Sequence, residues 1–185
     1  MQLNVLDIAS GWTVVVTGAD AETLGLELSA QWLLGDRTTL FANTTILDHE
    51  FTENSILRGV EQPITGNQLP MTSDVVLVAG VQHSIPTEMG EFGLNVSANY
   101  NSGYWFNQGN TVGSSSDGDE DDAFTTANAS VSFLSNDEKW RVTAYVNNLT
   151  DEEYFSGGLD AFGGLIELAA RGFPRHYGAT VEYGF

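Results

Sequence analysis

The chain has 185 residues, with 25 Asp and Glu against 6 Lys and Arg, for a formal net charge of -19. That balance excludes a nucleic-acid partner, because backbone phosphates need Lys and Arg. Mean hydropathy is -0.11, and no apolar run approaches the ~18 residues of a membrane helix, which excludes a helical membrane protein and leaves a strand barrel open.

Met1 is followed by QLNVLDIAS, with neither a basic region nor a long apolar core, so no signal peptide is read there. A strand barrel exported to a bacterial outer membrane would need one, so either the chain is a fragment of a longer protein or it is not such a barrel. The absence of cysteine suits an oxidising compartment without disulfides, and equally the cytosol. Leu3 and Val5 place a first short strand over residues 1–8. Trp12 to Val16 then begins a long second strand, expected to bulge near Gly18, in which Leu24, Leu26, Leu28, Ala30, Trp32 and Leu34 hold a strict period of two. Gly35-Asp36 reverses it into a third strand, TTLFANTTILDHEF.

Residues 53–74 carry two prolines and no sustained period, so they are expected to form a long loop. Val75, Leu77, Ala79 and Val81 line a fourth strand that Pro86 ends. In the fifth, Phe92, Leu94, Val96, Ala98 and Tyr100 alternate with Gly93, Asn95, Ser97 and Asn99, the cleanest pattern in the chain. After an acidic loop come a sixth strand through Thr125, Ala127, Ala129, Val131 and Phe133, the turn SNDEK, and a seventh from Trp140 through NNLTDEEYF. A Gly-rich third loop precedes the last strand, where Tyr177, Ala179, Val181, Tyr183 and Phe185 share one face.

The fold class is thus all-β, an antiparallel meander of about eight strands. Short links alternate strictly with long ones, as periplasmic turns alternate with extracellular loops in outer-membrane barrels. Aromatics near strand ends, Trp32, Phe92, Tyr100, Phe133, Trp140 and Tyr154, suit the two membrane interfaces better than a sandwich core. The opposite face is too small to fill a narrow eight-stranded interior, so the strands are expected to be an arc of a large transmembrane β-barrel.

VNNLTDEEYF, followed by a loop and RGFPRHYGATVEYGF, resembles the closing segment of TonB-dependent outer-membrane receptors. GADAETLGLELSAQW is similar to that family's long strand with a Gly-x-Glu step, and ITGNQLPMTSDVVLVAGVQHSIP to its loop-to-strand passage. The resemblance implies a barrel of about 22 strands around an amino-terminal plug, energised by the TonB complex. Its ligand would be a small molecule such as a ferric siderophore, cobalamin or a carbohydrate. Residues 1–185 would be the carboxy-terminal part of that barrel, with the plug and the amino-terminal strands outside the chain. Further implied partners are outer-membrane lipid and the barrel assembly machinery, which reads the alternation Tyr177, Ala179, Val181, Tyr183, Phe185 as its signal. The alternatives are a complete small barrel with a structural or adhesive role and a barrel enzyme.

No catalytic, cofactor or metal residue is assigned. Asp117, Asp119, Glu120, Asp121 and Asp122 lack the spacing of an EF-hand and are taken as a solvated loop. His49, His83 and His176 are too dispersed for zinc. Ser84 beside His83 cannot form a nucleophile and base, since strand neighbours face opposite ways. The N-x-S/T matches at Asn43, Asn95, Asn128 and Asn148 are discounted as chance, and Thr150 with Glu153 caps no helix. Tyr104, Trp105 and Phe106 form a candidate ligand-contact loop, with anchoring in lipid headgroups the favoured alternative.

Overall fold

Alternation of apolar with small polar residues gives the backbone one regular solution, a sheet with an oily and a wet face. The computed structural model describes residues 2–7, 12–17, 19–57, 60–110, 120–161 and 166–185, and its elements are strands. In chain order these are β1 (Gln2–Asp7), β2 (Trp12–Thr17), β3 (Ala21–Leu34), β4 (Thr38–Phe51), β5 (Ser55–Leu57), β6 (Val60–Gln62), β7 (Val75–Pro86) and β8 (Gly90–Asn101). They continue as β9 (Tyr104–Trp105), β10 (Glu120–Asp121), β11 (Phe124–Ser135), β12 (Trp140–Asn147), β13 (Phe155–Ala161), β14 (Ile166–Arg171) and β15 (His176–Tyr183).

Seven of them make one antiparallel sheet in the order β15-β12-β11-β8-β7-β4-β3. The order is a meander, since among the described residues the strands skipped belong to small ladders in the long links: β5 with β6, β9 with β10, and β13 with β14.

The meander differs from the expected one in three places. The single strand expected across Gly18 is two strands in different sheets, because β2 pairs with β1 while β3 pairs with β4; Gly18 itself lies outside the described residues. The seventh strand stops at Asn147 instead of running to Phe155. Asn148 (φ 50°) and Asp151 (φ 58°) adopt left-handed backbone that a strand cannot contain. The long links are not featureless, since each carries its own short ladder.

Register puts like with like. Ala30, Ala42, Ala79, Ala98 and Ala127 lie directly opposite one another across five strands, and Val81, Val96 and Ala129 form the adjoining row. Ala144 and Ala179 continue the apolar face to the far edge. Among the described residues the buried apolar side chains are Ala19, Phe51 and Ile64, all at the long-link end, whereas Leu24 is 75% and Val181 64% exposed. Each exposed Leu or Val forgoes roughly 1.5–3 kcal/mol of burial. A water-soluble sheet would bury this face against a second layer, and its exposure here calls for an apolar solvent.

The short links are built for tight reversal. Gly35 takes φ 65° between β3 and β4. In the 136–139 link the Ser135 hydroxyl (2.6 Å) and the Lys139 N–H (3.3 Å) donate to Asp137, holding its carboxyl below the ordinary value. At the start of β8 a Cβ on Gly90 would stand 2.1 Å from the Leu134 carbonyl oxygen of β11. We therefore expect Gly90→Ala to lower stability by about 2 kcal/mol through forced backbone movement. Gly157→Ala, where nothing lies within 4 Å, serves as the neutral control. Urea unfolding of the full-length protein in lipid vesicles measures both.

Candidate functional site

The polar face of the sheet is the candidate surface for a small molecule. In its strand centres it carries Gln31, Asn43, Gln82, Asn95, Asn99 and Asn128, with Ser and Thr between them. Two large rings break this pattern, and each faces a glycine. Phe41 lies opposite Gly80, where a Cβ would meet its Cζ at 2.5 Å; Tyr145 lies opposite Gly178, where a Cβ would meet its hydroxyl oxygen at 2.6 Å. A ring resting on a glycine lies along the wall instead of projecting from it. Of the charges on this face, Glu91 accepts from Ser84 Oγ at 2.6 Å and Arg141 sits 3.9 Å from Glu182, while Glu27 lies opposite Thr45.

At the long-link end, side chains tie the loops together. His49 is buried at 3% exposure, and its Nδ1 accepts the Leu69 N–H at 3.1 Å. An accepting Nδ1 places the neutral ring's proton on Nε2, which lies 3.2 Å from Asp74 Oδ1 but off the line of a good hydrogen bond. Asn54 Oδ1 gathers the N–H groups of Ile64 and Thr65, each at 3.0 Å. Asn110 clasps Gln68 through Gln68 N–H to Oδ1 (2.5 Å) and Nδ2 to Gln68 O (3.1 Å), joining the first long link to the second.

Asn148 performs the same task for the third link. It is 4% exposed; its N–H donates to Asn128 Oδ1 at 3.0 Å, and its Nδ2 donates to the carbonyls of Glu152 (2.8 Å) and Phe173 (3.1 Å). Asp151 Oδ1 then accepts the Arg175 N–H at 2.9 Å. The stretch VNNLTDEEYF is thus a clasp between the end of β12 and the approach to β15, with no chemistry of its own.

The expected aromatics fall into two groups. Phe92 and Phe133 are cross-strand partners with ring centroids 4.9 Å apart, and Trp140 meets Tyr183 at 4.6 Å, which in turn meets Phe185 at 5.2 Å. These rings and Ala179 and Val181 share the apolar face near the short links; Trp32 (67% exposed) and Tyr100 are on the same face, and Tyr177 lies at its long-link end. Tyr154 stands apart. It stacks on Phe124 at 4.5 Å, and Phe124 shares the polar face with Thr126 and Asn128, so its ring is not turned toward the outer apolar surface. The same ring covers Gly172, which leaves no room for a Cβ.

Tyr104 donates its hydroxyl to the Phe155 carbonyl at 2.7 Å and packs edge-on against Phe106 at 5.4 Å, while the Trp105 carbonyl accepts the Met71 N–H at 2.8 Å. The candidate ligand-contact loop thereby bridges all three long links. Of the acid cluster, Asp117 and Asp119 lie outside the described residues. The histidines stay apart: His83 Nδ1 meets Thr38 Oγ1 at 2.8 Å, and His176 Nε2 meets Asn147 Nδ2 at 3.1 Å. Among the described residues no group of three or more His, Cys, Asp or Glu could hold a metal ion.

Sequence reasoning missed Phe41, Tyr145, Asn54, Asn110 and the clasp role of Asn148. The signal for the two rings was their position opposite a glycine, visible only once register is known. We expect Asn148→Ala to lower stability by about 3 kcal/mol, because it strands several buried groups. Asn148→Gly relieves the left-handed backbone and recovers about 1 kcal/mol of that loss. Thermal unfolding, with proteolysis within 149–175 as the local readout, measures both.

Residues 2–149 match the model for the TonB dependent receptor-like β-barrel. Solved structures agree in fold. The ferric yersiniabactin uptake receptor FyuA from Yersinia pestis superposes with a TM-score of 0.78 at 21% identity over 93% of this chain and 25% of that one. The siderophore receptor PiuA from Acinetobacter baumannii gives 0.70 at 19% over 92% and 23%. The ferric citrate transporter FecA gives 0.71 at 20% over 88% and 24%. The chain therefore spans about a quarter of the length of these structures. With its meander, its two contrasting faces and a match over most of its residues, the chain belongs to the TonB-dependent receptor β-barrel family.

Proposed function

We propose that residues 1–185 form the carboxy-terminal part of an outer-membrane active-transport receptor that takes up a ferric siderophore or a similar scarce nutrient with energy delivered through TonB. The observation that carries this reading is the seven-stranded meander whose apolar face is continuous and exposed while its other face is polar. A sheet of this kind stands between lipid and a wet lumen. The siderophore receptors among its structural neighbours support the ligand class. The TonB complex would act through a plug domain elsewhere in the longer protein, and the receptor would bind and move its ligand without converting it. In this reading Trp32, Phe92, Tyr100, Phe133 and Trp140 anchor the wall at the membrane interfaces, and Tyr104, Trp105 and Phe106 lie at the ligand's entrance.

Uptake measured on the full-length protein tests the transport reading. A labelled ferric siderophore or other scarce nutrient should accumulate in cells with TonB and fail to accumulate in a strain lacking it. Accumulation independent of TonB would remove the proposal in favour of a passive or structural barrel.

The barrel assembly machinery is the proposed reader of Tyr177, Ala179, Val181, Tyr183 and Phe185, an alternation exposed along the last strand, with Gly178 half-buried between its first two members. Burial of one such ring is worth roughly 2–3 kcal/mol, little against the stability of a large barrel. Phe185→Ala in the full-length protein should lower its amount in the outer membrane while assembled molecules keep their ligand affinity. Normal membrane levels with reduced affinity would place Phe185 in a binding site instead.

A further inference from the structure

At the long-link end one short segment, residues 66–71, holds two of the loops in place. Gly66 donates its N–H to the Phe51 carbonyl at 2.8 Å and the Asn67 carbonyl accepts the Phe51 N–H at 2.9 Å, which ties the segment to the end of β4. Leu69 packs against the small core of Ala19, Phe51 and Ile64. The same six residues also carry the second long link, because Asn67 Nδ2 donates to the Gln108 carbonyl at 3.0 Å, Asn110 clasps Gln68, and the Met71 N–H reaches the Trp105 carbonyl at 2.8 Å. Whatever loosens this segment from β4 loosens both links.

The side chain that seats the segment is His49. It is buried, its Nδ1 accepts the Leu69 N–H at 3.1 Å, and its Nε2 stands 3.2 Å from Asp74 Oδ1 without a hydrogen bond. Only a neutral ring can hold Leu69, since an imidazolium carries a proton on both nitrogens and accepts nothing. A proton on Nδ1 would face the Leu69 N–H donor to donor, while the same charge turns Nε2 into a strong donor beside a carboxylate. The Asp74 side chain is 51% exposed, and both its oxygens now take the Gln68 amide, at 2.9 and 3.0 Å. Gaining the ring would therefore cost Asp74 its hold on the residue next to Leu69. The other nearby charges do not face the ring. Thr23 of β3 lies opposite His49, whereas Asp48, Glu50 and Glu22 alternate onto the other side of the sheet. In the adjoining links Asp20 and Glu53 are exposed, and Glu61 takes the Asn54 amide at 2.8 Å.

We propose that His49 is a proton-operated latch: neutral, it holds Leu69 and with it the first and second long links against the end of β4; protonated, it turns to Asp74 and lets residues 66–71 go. Imidazole is the side chain whose charge changes between about pH 5 and pH 8. The bond to Leu69 belongs to the neutral ring, so its stabilisation is present when the ring is unprotonated and is lost as falling pH protonates it. Both links stand at the long-link end of the wall, and access from that side thereby becomes sensitive to acid. The latch depends on the fold and not on which ligand the barrel carries.

Hydrogen–deuterium exchange of the full-length protein in lipid vesicles tests this, read by mass spectrometry on peptides covering 63–74 and 102–110 at about pH 8 and about pH 5, with the intrinsic pH dependence of exchange divided out. Both peptides should exchange about tenfold faster at the acid end, because a buried backbone donor loses its acceptor, while peptides of β8 and β11 keep their protection. His49→Asn leaves an acceptor oxygen near the place of Nδ1 and takes up no proton, so it should stay protected at both pH values. Asp74→Asn removes the partner of the charged ring and should move the release to lower pH. The latch is overturned if wild-type exchange in 63–74 is the same at both pH values, if 102–110 stays closed when 63–74 opens, or if His49→Asn keeps the full acid response. Should His49→Asn fail to assemble, Asp74→Asn decides, and an unchanged midpoint overturns the latch. Uptake through TonB does not enter the readout, so the transport reading and the latch fail separately.

Discussion

Backbone hydrogen bonding governs this structure. In hydrocarbon no water can satisfy a stray N–H or C=O, so a spanning strand must be paired along both sides. Within the sheet the five inner strands, β4, β7, β8, β11 and β12, have a partner on each side. At its two margins, β3 and β15, each strand has a partner on one side only among the described residues. An open sheet with an exposed apolar face and two unpaired edges is not a stable end state, in water or in lipid. The constraint asks for further strands to close it, as the family's barrels do.

Once pairing is continuous, the period of two sorts every residue onto one of two surfaces, and a one-residue slip would exchange them. Register is defended from both sides. On the apolar face the rows match in size, with five alanines aligned across five strands and Phe92 meeting Phe133 near the short links. On the polar face Leu47 reaches over Gly25, Phe41 over Gly80 and Tyr145 over Gly178. A slipped register would set each of these side chains against a neighbour that has a Cβ. Ring and glycine therefore specify the pairing while keeping the wall low, and space beside the rings follows from the same arrangement.

The meander was legible because alternation is a local property. Phe92 to Tyr100 announces a strand with no knowledge of its neighbours, and the lengths of the links between such runs establish which ends lie together. What escaped the sequence depends on contacts distant along the chain. Asn148 looks like one of several chance N-x-T matches until its partners Asn128, Glu152 and Phe173 are known. Residues 148–154 carry Leu149 and Tyr154 among polar and acidic side chains, and a reading that takes Tyr154 and Phe155 as the rising end of the strand carries it to Phe155; the left-handed backbone at Asn148 and Asp151 stops it. Tyr154 follows from the same error, since a residue placed on a strand is assigned a face by parity, and a loop residue is free to turn onto Phe124.

This explains why the family resemblance is informative about architecture and silent about ligand. The stretches that carry it are structural parts. Gly25 and Glu27 lie in β3, the Asn67 amide donates to the Gln108 carbonyl at 3.0 Å between two loops, and Asn148 and Asp151 clasp a third. Such positions do the same work in any barrel of this kind, whatever passes through it. The side chains at the centre of the wet face, Phe41, Gln82, Asn95 and Tyr145, belong to no motif, because a strand tolerates many side chains there provided the alternation survives. Side chains can therefore change on this wall without disturbing the fold, and what they do must be read from contacts across strands, since the alternation that builds the sheet is indifferent to them.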